Sequence, residues 1–429
     1  MRVDLKQFIN SGETIAVAVS GGSDSMALLY FMLENAKKYS FSVIALNVEH
    51  GIRGESSISD TQFVNEYCAS RNIKVINYAV NSLEKAKKEK LSVEQAARIL
   101  RYECFFDAIN SGKCDKVATA HHAGDNLESL LFNILRGTGI KGASGINENF
   151  NGKIIRPILS VTKSEIEEYL DKNAIPYVTD ETNLDTEYTR NYLRHEVIPK
   201  IKQIFPDAER SATRLTEIAK LENDYLDGIA ISAVYNEGDT VKIRLPLHPA
   251  ILSRAVIFAL KNMGVKKDWE KSHIDGVCAL AASKNGAKAS LLLGITAIKE
   301  YDHIAFYVER DSRPTPTAFT IGKIQFGNDI LSVEKVALPI DLKSGLYCDM
   351  DKIPTTAIIR TKQDGDAFTK FGGGTKSLND YLTDKKIPLR TRNLLPILAD
   401  GNQVLAIFGV AISDKIKVDD ATKNIIKLY

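Results

Sequence analysis

Cysteine and long apolar segments are both scarce in this sequence of 429 residues. The five cysteines are scattered and include no CxxC pair, which argues against a zinc ribbon or an iron–sulfur site and favours a reducing compartment. No stretch approaches the ~20 apolar residues of a membrane span, and the N-terminal MRVDLKQFI has no apolar signal region. We therefore expect a cytoplasmic protein with no membrane partner.

A large excess of charge of either sign is absent too. The 56 basic residues nearly balance the 54 acidic ones, which leaves a formal net charge of +2. The whole-chain balance neither demands nor excludes a nucleic-acid partner, so any RNA surface must be a local patch. Residues 355–392 form such a basic patch, because they contain eight basic residues against four acidic ones.

A Walker lysine and a Rossmann glycine pattern are missing, although a glycine-bearing loop is present near the N-terminus. The β-branched run at residues 15–19 predicts a buried strand, and a helical pattern starts at residue 24 or 25. Between them lies SGGSDS, residues 20–25. Its glycines let the backbone approach a ligand, its hydroxyls and helix-start amides donate to phosphate, and Asp24 implies an intervening cation such as Mg²⁺. The loop predicts a nucleotide phosphate site; a serine-rich tight turn is the structural alternative.

Strands and helices alternate through the first half of the chain. Further strands are predicted at residues 42–48, 74–80, 116–120 and 154–155, with helices between them. This pattern predicts an α/β fold with a doubly wound, mostly parallel sheet. Polar clusters follow three of the strands, at residues 20–25, 50–56 and 121–128. Since ligands bind outside the carboxyl ends of such strands, we expect the clusters to form one site.

Three domains are predicted along the chain. Residues 1–228 form the α/β domain with a charged helical extension that begins near Thr189. Residues 229–310 form a small α+β domain, with helices at 247–263 and 274–282 and a terminal strand pair at 290–293 and 304–308. Residues 319–429 form a mixed C-terminal domain, and Ser312–Thr317 is the clearest linker.

Two basic clusters leave their interpretation open. Arg190, Arg194 and His195 lie on neighbouring faces of one predicted helix, where they either face solvent or contact the phosphates of ATP or RNA. The same choice between a solvated face and phosphate contact applies to the basic residues of the C-terminal patch, Lys385, Lys386, Arg390 and Arg392.

The complete SGGSDS string resembles the SGGxDS PP-loop of the ATP pyrophosphatases, and further motifs narrow the resemblance. These motifs are NVEHGIRGESS (47–57), EQAARILRYECF (94–105), AHHAGDNLES (120–129), RGTGIKG (136–142), TRNYLRHEVIP (189–199) and KKIPLRTRNLLPIL (385–398). They span nearly the whole chain. The sequence is similar to the bacterial tRNA(Ile)-lysidine synthetases, whose PP-loop domain is like that of the adenine nucleotide α-hydrolases.

The resemblance implies an ATP-dependent ligase that acts on tRNA(Ile) with a CAU anticodon. ATP would adenylate O2 of the wobble cytidine and release pyrophosphate, and the ε-amine of free L-lysine would attack C2 and expel AMP. The product, lysidine, would change the codon and amino-acid specificity of the tRNA from methionine to isoleucine. ATP and Mg²⁺ are the implied cofactors. The oligomeric state is left open, with a homodimer as one alternative.

The resemblance also assigns roles to individual residues. The ATP site would comprise Ser20, Gly21, Gly22, Ser23, Asp24 and Ser25, with Asp24 as the Mg²⁺ ligand. The catalytic residues would be Asp24, Arg101, His121, Asp125 and Glu128. Contacts to substrate and tRNA would come from His50, Arg53, Arg190, Arg194, Lys385, Lys386, Arg390 and Arg392.

The chemistry of Asp125 and Glu128 supports this assignment but does not exclude structural roles for the same residues. Asp125 and Glu128, at positions i and i+3 of one helix, can bind an ammonium group and accept its proton. Asp125 can instead cap its helix, and His121 can be a hydrogen-bonded residue at a strand end. Arg98 competes with Arg101 for the catalytic role, and either arginine can form a surface ion pair.

Three rival functions fit the sequence less well. A tRNA thiolase of the same superfamily needs catalytic cysteines, and Cys104 and Cys114 are poorly placed for that role. An amidotransferase-type synthetase usually carries a glutaminase domain, and only residues 1–13 precede the first predicted strand. A non-catalytic ATP-binding or RNA-binding module is disfavoured by the clustering of acidic, basic and phosphate-binding groups.

Overall fold

The computed structural model describes residues 1, 3–52, 55–178, 189–265, 269–309, 314–337, 341 and 344–429. The chain divides into two compact units, Met1–Tyr225 and Leu226–Tyr429. The finer division into three domains stays a prediction, and the predicted linker starts outside the described residues.

The first unit is built on a six-stranded sheet with the strand order β3-β2-β1-β4-β6-β5. Neighbouring strands are parallel except for the antiparallel pair β5–β6. The strands are β1 (Thr14–Ala18), β2 (Ser42–Glu49), β3 (Val75–Ala79), β4 (Lys116–Ala118), β5 (Asn149–Phe150) and β6 (Ile154–Ile155). Because β2 and β4 flank β1 on opposite sides, the strand order reverses between β1 and β4, which is where doubly wound sheets bind ligands.

Helices cover both faces of this sheet. The helices of this part of the chain are α1 (Ser23–Tyr39), α2 (Glu55–Ser70), α3 (Ser82–Glu89), α4 (Val93–Asn110), α5 (Ala123–Leu135), α6 (Ile140–Ala143), α7 (Lys163–Lys172), α8 (Thr189–Tyr192), α9 (Ile198–Ile204) and α10 (Ala208–Ser232). Those that pack on the sheet include α1, α2, α4 and α7. A 3-10 helix at Leu5–Gln7 precedes the sheet, and a π-helix, Leu193–Val197, joins α8 to α9. Capping boxes at Ser92 and Thr162 start α4 and α7.

Alternating side chains of β1 separate two hydrophobic cores. Ile15 and Val17 pack on one face with residues of α1, α2 and α7, while Ala16 packs on the other face with Phe105 and Ile109 of α4. This alternation is the period-two pattern of a strand buried on both faces. The predicted doubly wound α/β fold is confirmed.

The second unit starts with an antiparallel sheet in the order β7-β8-β11-β10-β9. Its elements are β7 (Val234–Glu237), β8 (Thr240–Arg244), α11 (Pro249–Asn262), α12 (Lys271–Leu280), β9 (Lys288–Ser290), a 3-10 helix (Leu292–Gly294), β10 (Ile295–Glu300) and β11 (His303–Val308). The predicted strand at residues 290–293 is wrong beyond residue 290. β11 pairs with β8 and with β10, and the two-residue turn Tyr301–Asp302, which lacks the usual glycine or asparagine, joins it to β10.

The C-terminal part of this unit contains two further sheets, ordered β12-β16-β19-β20-β17-β18, with β21 beside β20, and β13-β14-β22-β15. The strands are β12 (Thr317–Ala318), β13 (Gly322–Phe326), β14 (Asp329–Val336), β15 (Leu346–Asp349), β16 (Ile358–Arg360), β17 (Ala367–Thr369), β18 (Thr375–Ser377), β19 (Ile397–Asp400), β20 (Gln403–Ile407), β21 (Ala411–Ile412) and β22 (Ile425–Leu428). The helices are 3-10 turns at Met350–Lys352 and Asp414–Ile416, and α13 (Leu378–Asp384) and α14 (Leu389–Arg392). The predicted mixed architecture is confirmed.

Candidate active site

The loop after β1 has the geometry of an anion site. Gly21 has φ +87°, a left-handed conformation that favours glycine, and Gly22 is the N-cap residue of α1. The first amides of α1 have no partner within the helix, so they are available to an anion at this end. The Ser25 side chain accepts a hydrogen bond from the Ser20 amide (3.2 Å) and donates one to the Gly22 carbonyl (2.9 Å). Ser25 is therefore buried inside the loop and shapes it.

The cation that a Walker loop would carry within its motif comes here from a distant segment. Lys163, at the start of α7, places its Nζ 2.6 Å from Asp24 Oδ1 and donates a hydrogen bond to Ser23 Oγ (2.9 Å). The Thr162 capping box begins α7 immediately before this lysine. Lys163 belongs to none of the motifs that predicted the site, so sequence reasoning missed it.

The loop after β4 lies against the same aspartate. His122 is the N-cap of α5, and its Nδ1 accepts a hydrogen bond from the Gly124 amide (3.0 Å). Its Nε2 lies 3.7 Å from Asp24 Oδ2 and 3.6 Å from Asp125 Oδ2. The imidazole thus joins the anion loop to the acidic start of α5, as the strand order predicts.

Asp125 and Glu128 share one cation. The Arg194 guanidinium lies 2.7 Å from Asp125 Oδ1 and donates to Glu128 Oε2 from both Nε (2.8 Å) and a terminal nitrogen (2.7 Å). Asp125 also accepts a hydrogen bond from the His122 amide (3.0 Å), so it caps its helix and contributes to the site at once. Arg194 belongs to the π-helix, a departure from α-helical geometry that is frequent at functional sites.

The two carboxylates have pKa values shifted in opposite directions. Burial, opposed by the charge of Arg194, raises the pKa of Glu128, which is only 6% exposed. Burial acts in the same sense on Asp125, but His122 and Arg194 outweigh it and lower the pKa of this carboxyl. Asp125 is therefore the permanent anion of the pair, and Glu128 is the one suited to take up a proton.

Two histidines, His121 beside Asp125 and His50 beside Arg101, are held neutral. Burial, together with the positive charges of Arg156, Arg98 and Arg101, lowers the pKa of His121 to about 4. His121 Nδ1 lies 2.9 Å from the Thr119 hydroxyl. At the end of β2, burial and the charge of Arg101 lower the pKa of His50 to about 4, and Arg101 Nε donates to His50 Nε2 at 3.4 Å.

Comparison with known proteins agrees with this geometry. The PP-loop domain family matches residues 1–201, and the TilS substrate C-terminal domain family matches residues 357–428. The tRNA(Ile)-lysidine synthase of Clostridium tetani is 31% identical over 98% of this chain and 95% of its own length. Those of Caldanaerobacter subterraneus subsp. tengcongensis and Clostridium acetobutylicum are 32% and 31% identical, each over 99% of this chain and over 95% and 97% of their own lengths.

The chain belongs to the tRNA(Ile)-lysidine synthase family. Membership confirms the predicted family and the prediction of a ligase-type enzyme, and the PP-loop domain implies the use of ATP. Within the described residues, no helix combines the length and apolarity needed to cross a membrane.

The candidate site brings together most of the predicted residues of the first unit. The anion loop, His121, Asp125, Glu128 and Arg194 surround one region, and the His50–Arg101 pair borders it at the end of β2. Arg190 lies near this region too, because its charge opposes the rise in the pKa of Glu128, and its guanidinium is 5.1 Å from the Phe132 ring and 3.9 Å from Glu94. Arg53 lies outside the described residues.

Two residues of the predicted tRNA-binding cluster, Arg390 and Arg392, make contacts within the second unit. The Arg392 side chain donates to the Ile387 carbonyl (2.8 Å), the Thr383 hydroxyl (2.9 Å) and the Tyr301 hydroxyl (3.3 Å), and the residue is 6% exposed. Arg390 is ion-paired with buried Glu300, with 3.2 Å between Nε and Oε1. Both arginines therefore hold α14 against the β10–β11 hairpin, and only Lys385 and Lys386 of the predicted cluster are exposed.

Proposed function

We propose that this chain ligates L-lysine to C2 of the wobble cytidine in the CAU anticodon of tRNA(Ile). The observation that carries the proposal is the Asp125–Glu128 pair, held around a cation beside a PP-loop. Such a pair suits a substrate amine that arrives as an ammonium ion and must lose a proton before it attacks. The names of the similar proteins state the same substrate, tRNA(Ile), and the same product.

In the first step the cytidine O2 attacks the α-phosphorus of ATP, and the bond from that phosphorus to pyrophosphate breaks. The α1 amides, Ser23 and Lys163 surround the place where the departing phosphates would lie. Adenylation converts the C2 oxygen into a good leaving group, because it can then depart as AMP.

In the second step the lysine nitrogen attacks C2, the C2–O bond breaks and AMP leaves. Asp125, which stays ionised, would orient the ammonium, and Glu128, whose pKa is raised, would accept the proton. Since Arg194 already donates to both carboxylates, the ammonium would have to share or replace those contacts. His121 is neutral at physiological pH, so it would act as a hydrogen-bonding group near the activated base.

Magnesium fits this site only together with the nucleotide. Among the described residues, no group of three or more histidine, cysteine, aspartate or glutamate side chains is placed to hold a metal ion. Mg²⁺ at nucleotide sites commonly binds one or two carboxylates plus substrate phosphates, and Asp24 supplies one carboxylate. The ion would neutralise the phosphate oxygens that Asp24 alone would repel. The oligomeric state stays open, and the cytoplasmic location stays a prediction.

The rival sulfur-transfer chemistry is disfavoured by the state of the cysteines. All five are free, and four of them are buried. Burial raises the pKa of every thiol, to about 11 for Cys68 and Cys114 and to about 12 for Cys348. Sulfur transfer requires a reactive thiolate, and these thiols stay protonated at neutral pH.

Ligation itself is tested with labelled lysine, ATP and a tRNA(Ile) transcript that carries the CAU anticodon. We expect label in the tRNA only when ATP is present, and none in a transcript whose wobble cytidine is replaced by uridine. Absence of ATP-dependent label would refute the proposed function. Pyrophosphate release without lysine separates the adenylation step from the transfer step.

Lys163→Met is expected to lower the rate of pyrophosphate release by about 100-fold, because one charged donor aimed at the phosphates is lost. The thioether chain keeps the length of lysine, so the loop should stay folded. Lys116→Met is the matched control, since Lys116 pairs with Glu13 (2.8 Å) at the opposite end of the sheet. Equal rates for the two variants would remove Lys163 from the ATP site.

The exposed lysines of the C-terminal patch are expected to contact tRNA phosphates. The double variant Lys385→Glu and Lys386→Glu should weaken tRNA binding and reduce the slope of log Kd against log salt by roughly 2, with an unchanged Tm. Arg392→Ala should instead lower the stability by about 2–4 kcal/mol, because three internal hydrogen bonds are lost. An unchanged salt slope in the lysine variant would exclude this phosphate contact.

A further inference from the structure

A separate cavity of about 910 Å³ lies in the first unit beside the candidate active site. Its lining comes from α4, α5, the β5–β6 segment and Arg190 of α8, and it includes Arg98, Tyr102, Phe106, Asn133, Phe150 and Arg156. Along α4 it reaches from Arg98 to Asn110, roughly 18 Å at the helical rise of about 1.5 Å per residue. It is at the upper end of the size range of small-molecule pockets, about 300–1,000 Å³.

The cavity carries positive charge that no described carboxylate neutralises. Arg156 is only 4% exposed, donates to the Tyr102 hydroxyl (2.8 Å) and the Asn147 carbonyl, and has a buried Nε with no partner among the described residues. Arg98 lies over the Tyr102 ring at 5.1 Å and makes no ion pair with any described residue. A buried guanidinium without a counter-charge is costly, so Arg156 favours an anionic ligand, and the exposed Arg98 adds a second positive charge.

The acidic residues of the lining are engaged elsewhere. Glu103 pairs with Lys85 (3.1 Å), and Asp107 accepts a hydrogen bond from the Tyr78 hydroxyl (2.6 Å) and pairs with Lys113 (3.5 Å). These two carboxylates therefore do not satisfy Arg98 or Arg156, and the unneutralised charge lies at the end of the cavity where α4 begins.

Aromatic rings form the apolar wall of the cavity. Phe150 packs edge-on against Tyr102 and tilted against Phe106, with centroid distances of 6.4 Å to each, and it is 38% exposed. Exposed aromatic faces next to unpaired arginines are the features with which proteins bind unstacked RNA bases and their phosphates. A free amino acid would leave most of this volume and the aromatic wall unused.

The cavity shares two helices with the candidate active site. Arg98 precedes Arg101, the partner of His50, by one turn of α4, and Ser129 of the lining follows Glu128 directly on α5. We propose that the cavity seats a nucleotide that neighbours the wobble cytidine in the anticodon loop. Its base would stack on Phe150 and its phosphate would bind Arg98 and Arg156. This proposal rests on the proposed function, because it takes the wobble base to lie at His121.

The test uses Arg98→Ala and Phe150→Ala in the full chain, with a synthetic CAU anticodon stem-loop and no lysine or ATP. We expect each variant to bind the stem-loop about tenfold more weakly in fluorescence anisotropy. The salt slope should fall by roughly 0.7 in Arg98→Ala and stay constant in Phe150→Ala, because only the first removes a charge. Both side chains are exposed, so an unchanged Tm is expected.

Arg71→Ala is the matched control. Arg71 is also an exposed arginine over a tyrosine ring, 4.7 Å from Tyr67, but this tyrosine belongs to the core on the other face of the sheet. Stem-loop affinity should be unchanged in this variant. A loss as large as that of Arg98→Ala would indicate a diffuse charge effect and overturn the proposal.

Measurements of KM distinguish a nucleotide bound by Arg98 from a lysine carboxylate bound by the same residue. If Arg98 binds the lysine carboxylate instead, Arg98→Ala will raise the KM for lysine, leave that for cadaverine unchanged and keep the stem-loop affinity, which overturns the proposal. Unchanged stem-loop binding in both variants overturns it as well. If the variants bind RNA more weakly but the wild-type chain forms no lysidine, the cavity is supported as a nucleotide-binding site and the proposed function is refuted.

Discussion

Asp24→Ala is expected to lower tRNA-dependent pyrophosphate release by at least about 1,000-fold. Asp24 is the carboxylate that joins the anion loop, Lys163 and His122, through contacts of 2.6 Å and 3.7 Å. Its removal leaves Lys163 without its partner and takes away the carboxylate that would bind Mg²⁺ with the ATP phosphates. The measurement is a coupled pyrophosphate assay with ATP and tRNA, in the absence of lysine.

Two further variants make this result specific to Asp24. Asp24→Asn keeps the size of the side chain and should show nearly the same loss, because the charge is what the cation requires. Asp115→Asn is the structural control, since Asp115 accepts a hydrogen bond from the Thr14 amide (2.8 Å) at the opposite end of the sheet. Full pyrophosphate release by Asp24→Ala would remove this residue from the ATP site.

Glu128→Gln is expected to separate the two steps of the reaction. Adenylation should stay within a few-fold of wild type, whereas transfer of lysine should fall by about 10²–10⁴-fold because the proton acceptor is lost. The amide keeps the shape of the side chain, and Asp125 still pairs with Arg194. Rapid-quench measurements should therefore show pyrophosphate and adenylated tRNA without a matching amount of lysidine.

The pH dependence gives a second readout of the same residue. Glu128 must be ionised to accept a proton and its pKa is raised, so the transfer rate should fall as pH decreases through that raised pKa. Glu128→Gln should lose this acid limb. Glu13→Gln, which changes the carboxylate paired with Lys116, should keep the wild-type profile. An intact acid limb in Glu128→Gln would assign the proton transfer to another group.

Local sequence was sufficient to predict those parts of the site that depend on a short motif. The β-branched run, the two glycines and the helix start of SGGSDS are contiguous, so their geometry follows from backbone preferences. The convergence of the loops after β1 and β4 also follows, because the carboxyl ends of parallel strands meet at one edge of the sheet. Asp125 and Glu128 share a helix face by their spacing alone.

Contacts between distant segments were not predictable in the same way. Lys163 follows Asp24 by 139 residues, and only the packing of α7 on α1 brings their side chains together. Arg194 was expected on a helix face, but its contact with both carboxylates depends on the π-helix at Leu193–Val197. No propensity rule marks such a local change of helical geometry in advance.

Charge composition also failed to distinguish an exposed cation from a buried one. Lys385 and Arg392 contribute equally to the net charge of residues 355–392, yet one is exposed and the other satisfies three internal acceptors. Arginine is well suited to the buried role, because its planar group donates several hydrogen bonds at once. Only tertiary structure separates the two roles.

The most direct test of the central claim is nucleoside mass spectrometry of the tRNA after reaction. Purified protein is incubated with ATP, L-lysine and the CAU tRNA(Ile) transcript, and the digested nucleosides are separated. The proposed function predicts that the wobble cytidine is replaced by a cytidine that carries lysine at C2, in an amount equal to the AMP formed. An unmodified wobble cytidine, or one carrying sulfur in place of the C2 oxygen, would contradict it.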